Sequence, residues 1–481
     1  MSETLTRKAF VGVGWSAIER LSLQGVGFVL QIILARLLSA SDYGIIAMIA
    51  IFLQIAGVFV DSGFANALIQ KQNCTDKDYS TVFYYNLAVS IGVYGLLYIG
   101  APLVAKFYDI ELLTKVLRVS ALVVIFNAFS LVQRTKLVKQ IDFKSQSIVN
   151  FTSAVISGIA GIAFAYYRFG VWALCFQSLL NSILQFFLFY FFVRWRPSLV
   201  FSRESFKELF SFGSKILIAS IISVVYNNLY TIVIGKKFKS EELGYYSRAD
   251  QFAAFPSINI SSIIAKVAFP ALSTIQDDDD KLRIAYRKII RYSSFVIFPI
   301  MIGLAASSKF VVLTLLGEKW LDVVPFLRIL CFALMWDHLS SLNLNLLYVK
   351  GKSNLVLKLE IIKKTIAVAI LFASIPFGIV VMCWGRVVYD IIAFGINTFY
   401  TKRLIGISLF RQIMDIMPYL VLSLAMGVLV FVEGIILPSG PLVTLVLVVL
   451  TGVVFYSAIS WFSFKDIREQ AVSLIRSNKR A

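Results

Sequence analysis

Long apolar stretches recur about every 30–40 residues along the whole chain, and they constrain its fold more than any other feature. A bilayer core about 30 Å thick needs roughly 20 apolar residues for each helix that crosses it. Of the 481 residues, 59% are hydrophobic and 15% are charged, and the mean hydropathy is +0.81. A soluble domain is usually about 45–50% apolar and about 25% charged. The sequence therefore predicts an all-α polytopic membrane protein.

Fourteen apolar stretches are long enough to be transmembrane helices. Their predicted bounds are 10–35, 43–69, 80–105, 112–132, 147–167, 171–193, 212–235, 251–272, 292–316, 323–348, 355–375, 377–400, 413–433 and 441–462. At Pro376–Gly378, between the eleventh and twelfth stretches, the sequence allows either a loop or a proline kink within one helix.

Lys and Arg residues concentrate in alternate connections between the predicted spans. With the N-terminus inside, the cytoplasmic connections and tail hold 27 of them and the external connections hold nine. Cytoplasmic loops of membrane proteins are enriched in Lys and Arg, so both termini are predicted to be cytoplasmic. The same distribution explains the net charge of +19, which comes from 46 Lys and Arg against 27 Asp and Glu. No nucleic-acid partner is needed to account for it.

Motifs for catalysis, metal binding or cofactor binding are missing from the sequence. Four cysteines lie far apart without a CxxC pair, and the chain has one histidine, so neither a disulfide framework nor a zinc site is predicted. There is no Walker loop and no nucleophile elbow. The acidic run Asp277–Asp280 is interpreted as a solvated loop, with metal binding as the alternative. We predict a protein that is not an enzyme and holds no cofactor or metal.

An internal repeat relates the two halves of the chain. The matched pairs are Phe10 with Phe210, Ile32–Arg36 with Ile232–Lys236, Asp42–Gly44 with Glu242–Gly244, and Val116–Val119 with Phe326–Ile329. The first three share an offset of 200 residues and the last has an offset of 210. Similar amphipathic helices could match by chance, but the ungapped match through the loop after the helix favours a true repeat.

Six helices separate equivalent points, so the halves have the same orientation in the membrane. Such parallel repeats are known in transporters, with the substrate site between them near mid-membrane. The predicted organisation is a six-helix lobe at 1–200, a second six-helix lobe at 201–405, and two further helices with a basic tail at 406–481. The amphipathic segment 201–212 is predicted to be an interfacial helix linking the lobes.

Polar side chains recur at helical spacing in the first span and in its repeat partner. The first stripe contains Ser16, Arg20, Gln24, Gly27 and Gln31, and the second contains Ser220, Ser223, Asn227 and Thr231. Polar groups are costly in hydrocarbon, so both stripes are expected to face a common aqueous interior. Helix–helix packing is the alternative, and it suits Ser and Gly better than Arg20.

Basic residues outnumber acidic residues within the predicted spans. The candidates for contact with an anionic substrate in the cavity are Arg20, Gln24, Gln31, Arg118, Asn227, Lys266, Arg328, Lys363 and Lys364. A cavity lined by cations attracts an anion, and the anions carried by membrane lipids are phosphates and diphosphates. The alternatives are structural pairing, such as Glu360 with a neighbouring lysine or Arg386 with Asp390 four residues later, and snorkelling of Arg118 and Arg328 at the external helix ends.

Three acidic residues within the spans are candidates for binding a coupling proton or sodium ion. They are Glu19, Asp61 and Asp337. A salt bridge within the helix bundle, for example to Arg20, is the alternative for the first two. His338 beside Asp337 is interpreted as satisfied by a neighbouring group, with proton relay as the alternative.

Several motifs, in this order, resemble the bacterial polysaccharide transporters. The matching segments are Gly14–Trp15, Ala35–Leu38, Asp42–Gly44, Asp61–Gln70, Gln133–Arg134, Asp142–Phe143, Leu243–Ala249 and Phe269–Ser273. Members of that family are the lipid-linked oligosaccharide flippases of O-antigen, colanic acid and teichuronic acid assembly. Their superfamily also holds the multidrug extruders of the MATE type and the lipid II flippase.

The resemblance implies a MATE-like, V-shaped pair of six-helix lobes that opens alternately to each side of the bacterial inner membrane. The implied substrate is an undecaprenyl-diphosphate-linked sugar repeat unit, which moves to the external leaflet. Implied partners are membrane lipids, a polysaccharide polymerase and other assembly proteins. The two C-terminal helices are expected to accommodate the lipid tail, as in the lipid II flippase. Because cavities vary across the family, the candidate site residues above are derived from burial and charge alone.

Two other functions remain as alternatives. A multidrug cation extruder on the same scaffold predicts a cavity dominated by acidic residues, which is opposite to the excess of Lys and Arg counted here. A membrane polysaccharide polymerase predicts a large loop with paired catalytic residues, and the connections in this sequence are short.

Overall fold

The computed structural model describes residues 25–437, 439–464 and 468–469. Within these ranges the chain forms helices joined by short connections, and no β-strand is present. The fold divides into two compact units, with the boundary between Gly244 and Tyr245. The predicted lobe boundary near residue 200 is defined by the repeat and stays a prediction.

Unit 1 contains ten helices among the described residues, and an eleventh crosses the boundary. They are α1 (Gly25–Leu37), α2 (Ala40–Asp61), α3 (Phe64–Gln70), α4 (Asp76–Tyr108), α5 (Leu112–Ser120), α6 (Leu122–Lys139), α7 (Phe143–Tyr166), α8 (Val171–Phe192), α9 (Arg203–Asn227), α10 (Leu229–Lys237) and α11 (Ser240–Ser273). Unit 2 contains the rest of α11 and seven further helices. They are α12 (Asp279–Leu315), α13 (Val323–Leu334), α14 (Asp337–Val349), α15 (Ser353–Ser374), α16 (Ile379–Ile405), α17 (Leu409–Ile436) and α18 (Pro441–Ser463).

The helices correspond to the fourteen predicted spans. In the described part of the chain, twelve helical segments are long and apolar enough to cross a membrane. The eleventh predicted span is α15, whose 22 residues are long enough but include four charged side chains. The first predicted span begins before the described residues, and α1 is its C-terminal part. The polytopic all-α architecture is therefore confirmed.

Short breaks divide several of the predicted spans. In the second span, Ser62 and Gly63 have φ of 46° and 73° between α2 and α3, and the left-handed conformation ends the first of these helices. The Pro376 region is a loop rather than a kink, because a 3₁₀ turn at Ile375–Phe377 is followed by Gly378 with φ of 88°. Glycine adopts this backbone conformation without the steric cost that other residues meet there.

The segment 201–212, predicted as a separate interfacial helix, begins α9 and continues into the seventh span without a break. Its rings pack inward within unit 1. The Phe206 ring stacks on Phe210 with 5.3 Å between centroids, and it lies 5.1 Å from the ring of Tyr85. This aromatic packing explains why the amphipathic segment joins the span.

Acidic residues in the first turns of α2 and α11 cap these helices in the same way. The backbone N–H of Ser39 donates to Asp42 at 2.9 Å, and that of Lys239 donates to Glu242 at 3.0 Å. The carboxylates thereby satisfy N–H groups that have no partner within the helix. Capping explains the acidic position of the repeated motif.

Glycines of the same motif allow two backbones to cross closely within unit 1. A Cβ at Gly44 would overlap the carbonyl oxygen of Ser240, and a Cβ at Gly244 would overlap that of Ala40. The two contacts are equivalent under the predicted repeat, because Gly44 corresponds to Gly244 and Ala40 corresponds to Ser240, each 200 positions later. The requirement for glycine at both places therefore follows from one symmetric crossing.

Candidate substrate cavity and charged cluster

Three of the predicted site residues lie outside the described part of the chain. They are Glu19, Arg20 and Gln24. The polar stripe of the first span is therefore described only from Gly25 onward, and its role stays a prediction.

Repeat-related arginines occupy similar surroundings in the two units. Arg118 Nε donates to the carbonyl oxygen of Tyr98 at 3.1 Å, and Arg328 Nε donates to the Ser308 hydroxyl at 3.0 Å. In both cases the acceptor lies 20 residues earlier in the chain. Each guanidinium also lies over an aromatic ring, at 4.2 Å from the Tyr98 centroid and 5.3 Å from that of Phe431. Both arginines thus have structural partners.

The remaining predicted residues of unit 1 have modest local contacts. Asp61 Oδ1 accepts a hydrogen bond from the backbone N–H of Ala65 at 3.1 Å, so this carboxylate caps α3. Asn227 is exposed, and its amide lies 3.4 Å from the Ser223 hydroxyl of the same predicted stripe. Gln31 is partly buried in α1. The structure does not bring these three side chains into one cluster.

A cavity of about 620 Å³ lies within unit 1, between α2, α3, α6 and α8, and both polar and apolar side chains line it. One face of α6 contributes Asn127, Ser130 and Arg134, and one face of α8 contributes Ser178, Asn181 and Gln185. We call this space the unit 1 cavity. None of these residues is among the predicted site residues, although their spacing of three and four places each set on one helix face.

Hydrogen-bonding groups in the unit 1 cavity are largely unused. Arg134 makes no hydrogen bond or ion pair with any described residue, and the same holds for the side chain of Gln185. Asn181 Oδ1 is shielded from solvent and has no partner within the described ranges. The Arg134 guanidinium lies within electrostatic range of Asp61. A site with free donors, free acceptors and one cation can hold a polar anion.

A charged cluster lies within unit 2, where α11, α14, α15 and α16 meet. We call it the unit 2 cluster, and its members are Asp250, Asp337, Lys363, Arg386 and Asp390. Arg386 pairs with Asp250 at 2.6 Å. Asp337 lies within electrostatic range of Arg386, Asp250 and Lys363. The structure thus brings together two of the predicted site residues, Asp337 and Lys363.

Pairing within the unit 2 cluster differs in part from the prediction. Arg386 forms its ion pair with Asp250, 136 residues away in sequence, rather than with Asp390 on its own helix. Asp390 is only 8% exposed, and one of its carboxylate oxygens has no hydrogen-bond partner among the described residues. Lys363 pairs with Glu360, which is the structural alternative that the sequence left open for it. Long-range partners of this kind leave no signal in local sequence spacing.

Two predicted lysines remain outside the cluster. Lys266 is exposed on α11 and has no hydrogen-bond or ion-pair partner within the described ranges. Lys364 is partly buried on α15, one residue from Lys363. His338 is buried, and its Nε2 lies 3.1 Å from the Ser294 hydroxyl, as the interpretation predicts, whereas its Nδ1 has no hydrogen-bond partner among the described residues.

An apolar cavity of about 410 Å³ lies between α12, α17 and α18 in unit 2. Its walls include Leu304, Val311, Met426, Val448 and Val453. The appended helix α17 is fixed to α12 by Asp415, whose carboxylate accepts hydrogen bonds from Arg287 and Arg291. The hydroxyl of Tyr456 on α18 donates to the carbonyl oxygen of Phe295 on α12. In the part of the chain that the structure describes, no group of three or more His, Cys, Asp or Glu side chains could hold a metal ion.

A family profile described as polysaccharide biosynthesis protein matches residues 33–325, which is more than half of the chain. The chain belongs to this family. The teichuronic acid biosynthesis protein TuaB of Bacillus subtilis (strain 168) is 26% identical over 432 residues, covering 89% of each chain. The lipopolysaccharide biosynthesis protein WzxC of Escherichia coli (strain K12) is 26% identical over 441 residues, covering 88% of this chain and 89% of WzxC.

Solved structures show the same fold. The lipid II flippase MurJ in its inward closed conformation superposes with a TM-score of 0.74 at 15% identity, over 95% of this chain and 99% of MurJ. A multidrug resistance transporter of the MATE family in an inward-facing conformation gives a TM-score of 0.59 at 16% identity, over 79% of this chain and 94% of that one. The predicted MATE-like fold is confirmed.

Proposed function

We propose that this protein is a flippase that moves undecaprenyl-diphosphate-linked oligosaccharides across the bacterial inner membrane. Family membership is the observation that carries the proposal, and the fold shared with the lipid II flippase MurJ favours transport over polymerisation. TuaB and WzxC are named for the biosynthesis of teichuronic acid and lipopolysaccharide. A third relative, ExoT of Rhizobium meliloti (strain 1021), is named a succinoglycan biosynthesis transport protein. Alternating access of the fold to the two leaflets supplies the movement.

Cations within the spans support an anionic substrate. Lys266 is exposed and unpaired within the described ranges, so it is the strongest of the predicted contacts for a diphosphate. Arg118, Arg328 and Lys363 have partners inside the protein, so their predicted contact with substrate requires those interactions to be exchanged. The proposed set of substrate contacts is completed by Arg20, Gln24, Gln31, Asn227 and Lys364.

The apolar cavity between α12, α17 and α18 supports a role for the two appended helices in holding the lipid tail. Its walls are aliphatic, as a polyprenyl chain requires. The proposed topology places both termini and the more basic connections in the cytoplasm. A polysaccharide polymerase and other assembly proteins are proposed as partners.

Asp337 is the proposed coupling residue for which the structure offers most support. It lies in the unit 2 cluster beside Asp390, and an excess of carboxylates over cations leaves a place for a proton. Asp61 and Glu19 are retained as further candidates, although Asp61 already caps α3. If coupling occurs here, Asp337→Asn should abolish the response of flipping to an imposed ion gradient. Unchanged gradient dependence in this variant would exclude Asp337.

Deletion of the gene, followed by analysis of lipids in each leaflet, tests the function. We expect a lipid-linked oligosaccharide to accumulate on the cytoplasmic leaflet and to disappear when the wild-type gene is restored. Loss of a polymerase would instead leave single repeat units on the external leaflet. Normal polymer output with altered sensitivity to cationic drugs would favour the multidrug antiporter and contradict the proposal.

A further inference from the structure

The unit 1 cavity has the properties of a ligand site that none of the predicted residues describes. Its volume of about 620 Å³ lies within the range of about 300–1,000 Å³ that is usual for small-molecule sites. It is a partly open cleft, and all of its described lining residues belong to unit 1. Membrane-embedded polar groups are costly unless they meet water or a ligand.

Side chains of the cavity define the chemistry of that ligand. Arg134 presents a planar guanidinium without an ion-pair partner among the described residues, and such a group suits phosphate oxygens. Asn127, Asn181 and Gln185 present amides, which both donate and accept hydrogen bonds. Sugar hydroxyl groups need donors and acceptors together, whereas a simple anion needs donors alone. A phosphorylated sugar can therefore bind all four side chains, with its phosphate at the arginine and its hydroxyl groups at the three amides.

The position of Arg134 along α6 indicates where such a ligand enters. Arg134 lies five residues before the end of the helix at Lys139, which corresponds to about 7–8 Å along the axis. In the proposed topology this end is cytoplasmic. Asn127 and Ser178 lie deeper, so the guanidinium stands near the cytoplasmic mouth of the cavity and the neutral groups line its interior.

We propose that the unit 1 cavity binds a phosphorylated sugar, with the phosphate at Arg134 and the sugar hydroxyls at Asn127, Asn181 and Gln185. The inference rests on the proposed function only for the source of the ligand, which is the head group of the lipid-linked oligosaccharide in the cytoplasmic leaflet. A soluble nucleotide sugar contains the same chemistry and is the other source. The site would select the substrate by its first sugar before the head group crosses the membrane.

Protection of a cysteine in the cavity tests the proposal on the full-length protein in lipid nanodiscs. Ser178→Cys, in a Cys74→Ser background, places a thiol on the cavity wall, while the other three native cysteines are buried. The rate of labelling by N-ethylmaleimide is measured with increasing glucose 1-phosphate, glucose or inorganic phosphate. We expect glucose 1-phosphate to slow labelling at lower concentration than either of the other two compounds.

Substitution of the arginine provides the matched comparison. Loss of a charged hydrogen bond typically weakens binding by about 10- to 100-fold, so Arg134→Gln should raise the protecting concentration of glucose 1-phosphate by that factor. Arg203→Gln, which removes an exposed arginine outside the cavity, should leave it unchanged. Asn181→Ala should weaken protection by glucose 1-phosphate but not by inorganic phosphate.

Three results would overturn the proposal. They are labelling that glucose 1-phosphate does not slow, equal protection by inorganic phosphate, or equal effects of Arg134→Gln and Arg203→Gln. Protection by UDP-glucose at lower concentration than glucose 1-phosphate would overturn the lipid source and favour a soluble nucleotide sugar. Absence of protection, together with accumulation of lipid-linked oligosaccharide in the deletion strain, would reject this site while leaving the proposed function intact.

Discussion

Equivalent positions in α8 and α16 carry different side chains, and the two units differ accordingly. Each helix follows a glycine with positive φ, at residue 170 in unit 1 and residue 378 in unit 2. Eight residues after these glycines stand Ser178 and Arg386, and twelve residues after them stand Ser182 and Asp390. The hydroxyls of Ser178 and Ser182 border the unit 1 cavity, whereas Arg386 and Asp390 are both members of the unit 2 cluster.

The same contrast extends to the fourth span of each repeat. Asn127 of unit 1 corresponds to Asp337 of unit 2 at the offset of 210 residues. Neutral amides and hydroxyls leave space that water or a ligand fills, whereas opposite charges in a low-dielectric interior attract and close the space. At positions that the predicted repeat makes equivalent, unit 1 thus has an open site and unit 2 has an internal ion-pair network.

The largest expected effect is loss of stability when the unit 2 cluster loses its arginine. Arg386→Ala leaves Asp250, Asp337 and Asp390 without their main cation. Removing one partner of a fully buried ion pair costs about 3–5 kcal/mol, and we expect about 2–3 kcal/mol because the two side chains are 24% and 37% exposed. The measurement is the thermal unfolding midpoint of the purified protein in detergent.

Arg134→Ala is the matched control in unit 1. Because Arg134 makes no hydrogen bond or ion pair with any described residue, its removal should leave the unfolding midpoint nearly unchanged. Equal losses of stability in Arg134→Ala and Arg386→Ala would contradict the proposed difference between the unit 1 cavity and the unit 2 cluster.

Filling the unit 1 cavity should stop export without destabilising the protein. Ser178→Trp places an indole in a space of about 620 Å³, where it displaces water or ligand rather than packed side chains. We expect export of the polymer to fall below about a tenth of the wild-type level. A drop of this size follows if the indole weakens binding of the substrate head group by more than about 1.4 kcal/mol. Phe187→Trp on the outer face of the same helix is the control, and normal export by Ser178→Trp would argue against the cavity.

A smaller effect is expected when the unit 1 cavity receives the residue that stands in unit 2. Asn127→Asp introduces the carboxylate found at Asp337, which repels a phosphate and competes for Arg134. We expect a roughly tenfold loss of apparent affinity for phosphorylated substrate, which corresponds to about 1.4 kcal/mol. Asn127→Ser, which is neutral, separates charge from shape. Equal loss in the two variants would show that charge does not matter here.

The smallest effect is expected where the partly exposed Lys71 pairs with the exposed Glu208 and with the buried Asp78. When the lysine is removed, the Asp78 carboxylate keeps its hydrogen bonds from Thr75. Hydrogen bonding to Glu208, and then to Asp78, raises the pKa of Lys71 above its ordinary value of 10.5. Because the pKa of Lys71 is higher in the folded than in the unfolded protein, the charged lysine stabilises the fold at any pH below 10.5. This stabilisation is lost as the pH rises through the pKa of the folded protein. Lys71→Ala should therefore lower stability by at most about 1 kcal/mol, equally at every pH between about 6 and 9. A difference that changes within that range would contradict this assignment.

Most of the fold followed from the sequence because the bilayer sets the length of each apolar stretch. The predicted span 171–193 became α8 at Val171–Phe192, and 441–462 became α18 at Pro441–Ser463. Breaks within spans were missed because single residues make them. Ser62 and Gly63, for example, adopt the left-handed conformation, but these two residues do not interrupt the long apolar stretch by which the span was recognised.

The unit 1 cavity was missed because its residues are mostly neutral and because one helix end was misplaced. The fourth span was predicted to end at residue 132, so Arg134 was assigned to a cytoplasmic loop, whereas α6 continues to Lys139. The spacing of Asn127, Ser130 and Arg134 contains the signal, which becomes visible once the helix is extended by two turns. The pairing of Arg386 with Asp250 had no such signal, since it depends on how distant helices pack.

Reconstituted flipping tests the proposed transport most directly. Lipid-linked oligosaccharide extracted from cells that lack the gene is incorporated into liposomes with or without the purified protein, and a membrane-impermeant glycosidase is added outside. With wild-type protein, we expect nearly all of the substrate to be cleaved, while protein-free liposomes and those containing Ser178→Trp protect the inner half. Protection of the inner half in the presence of folded, correctly reconstituted wild-type protein would contradict the proposal that this chain is a flippase.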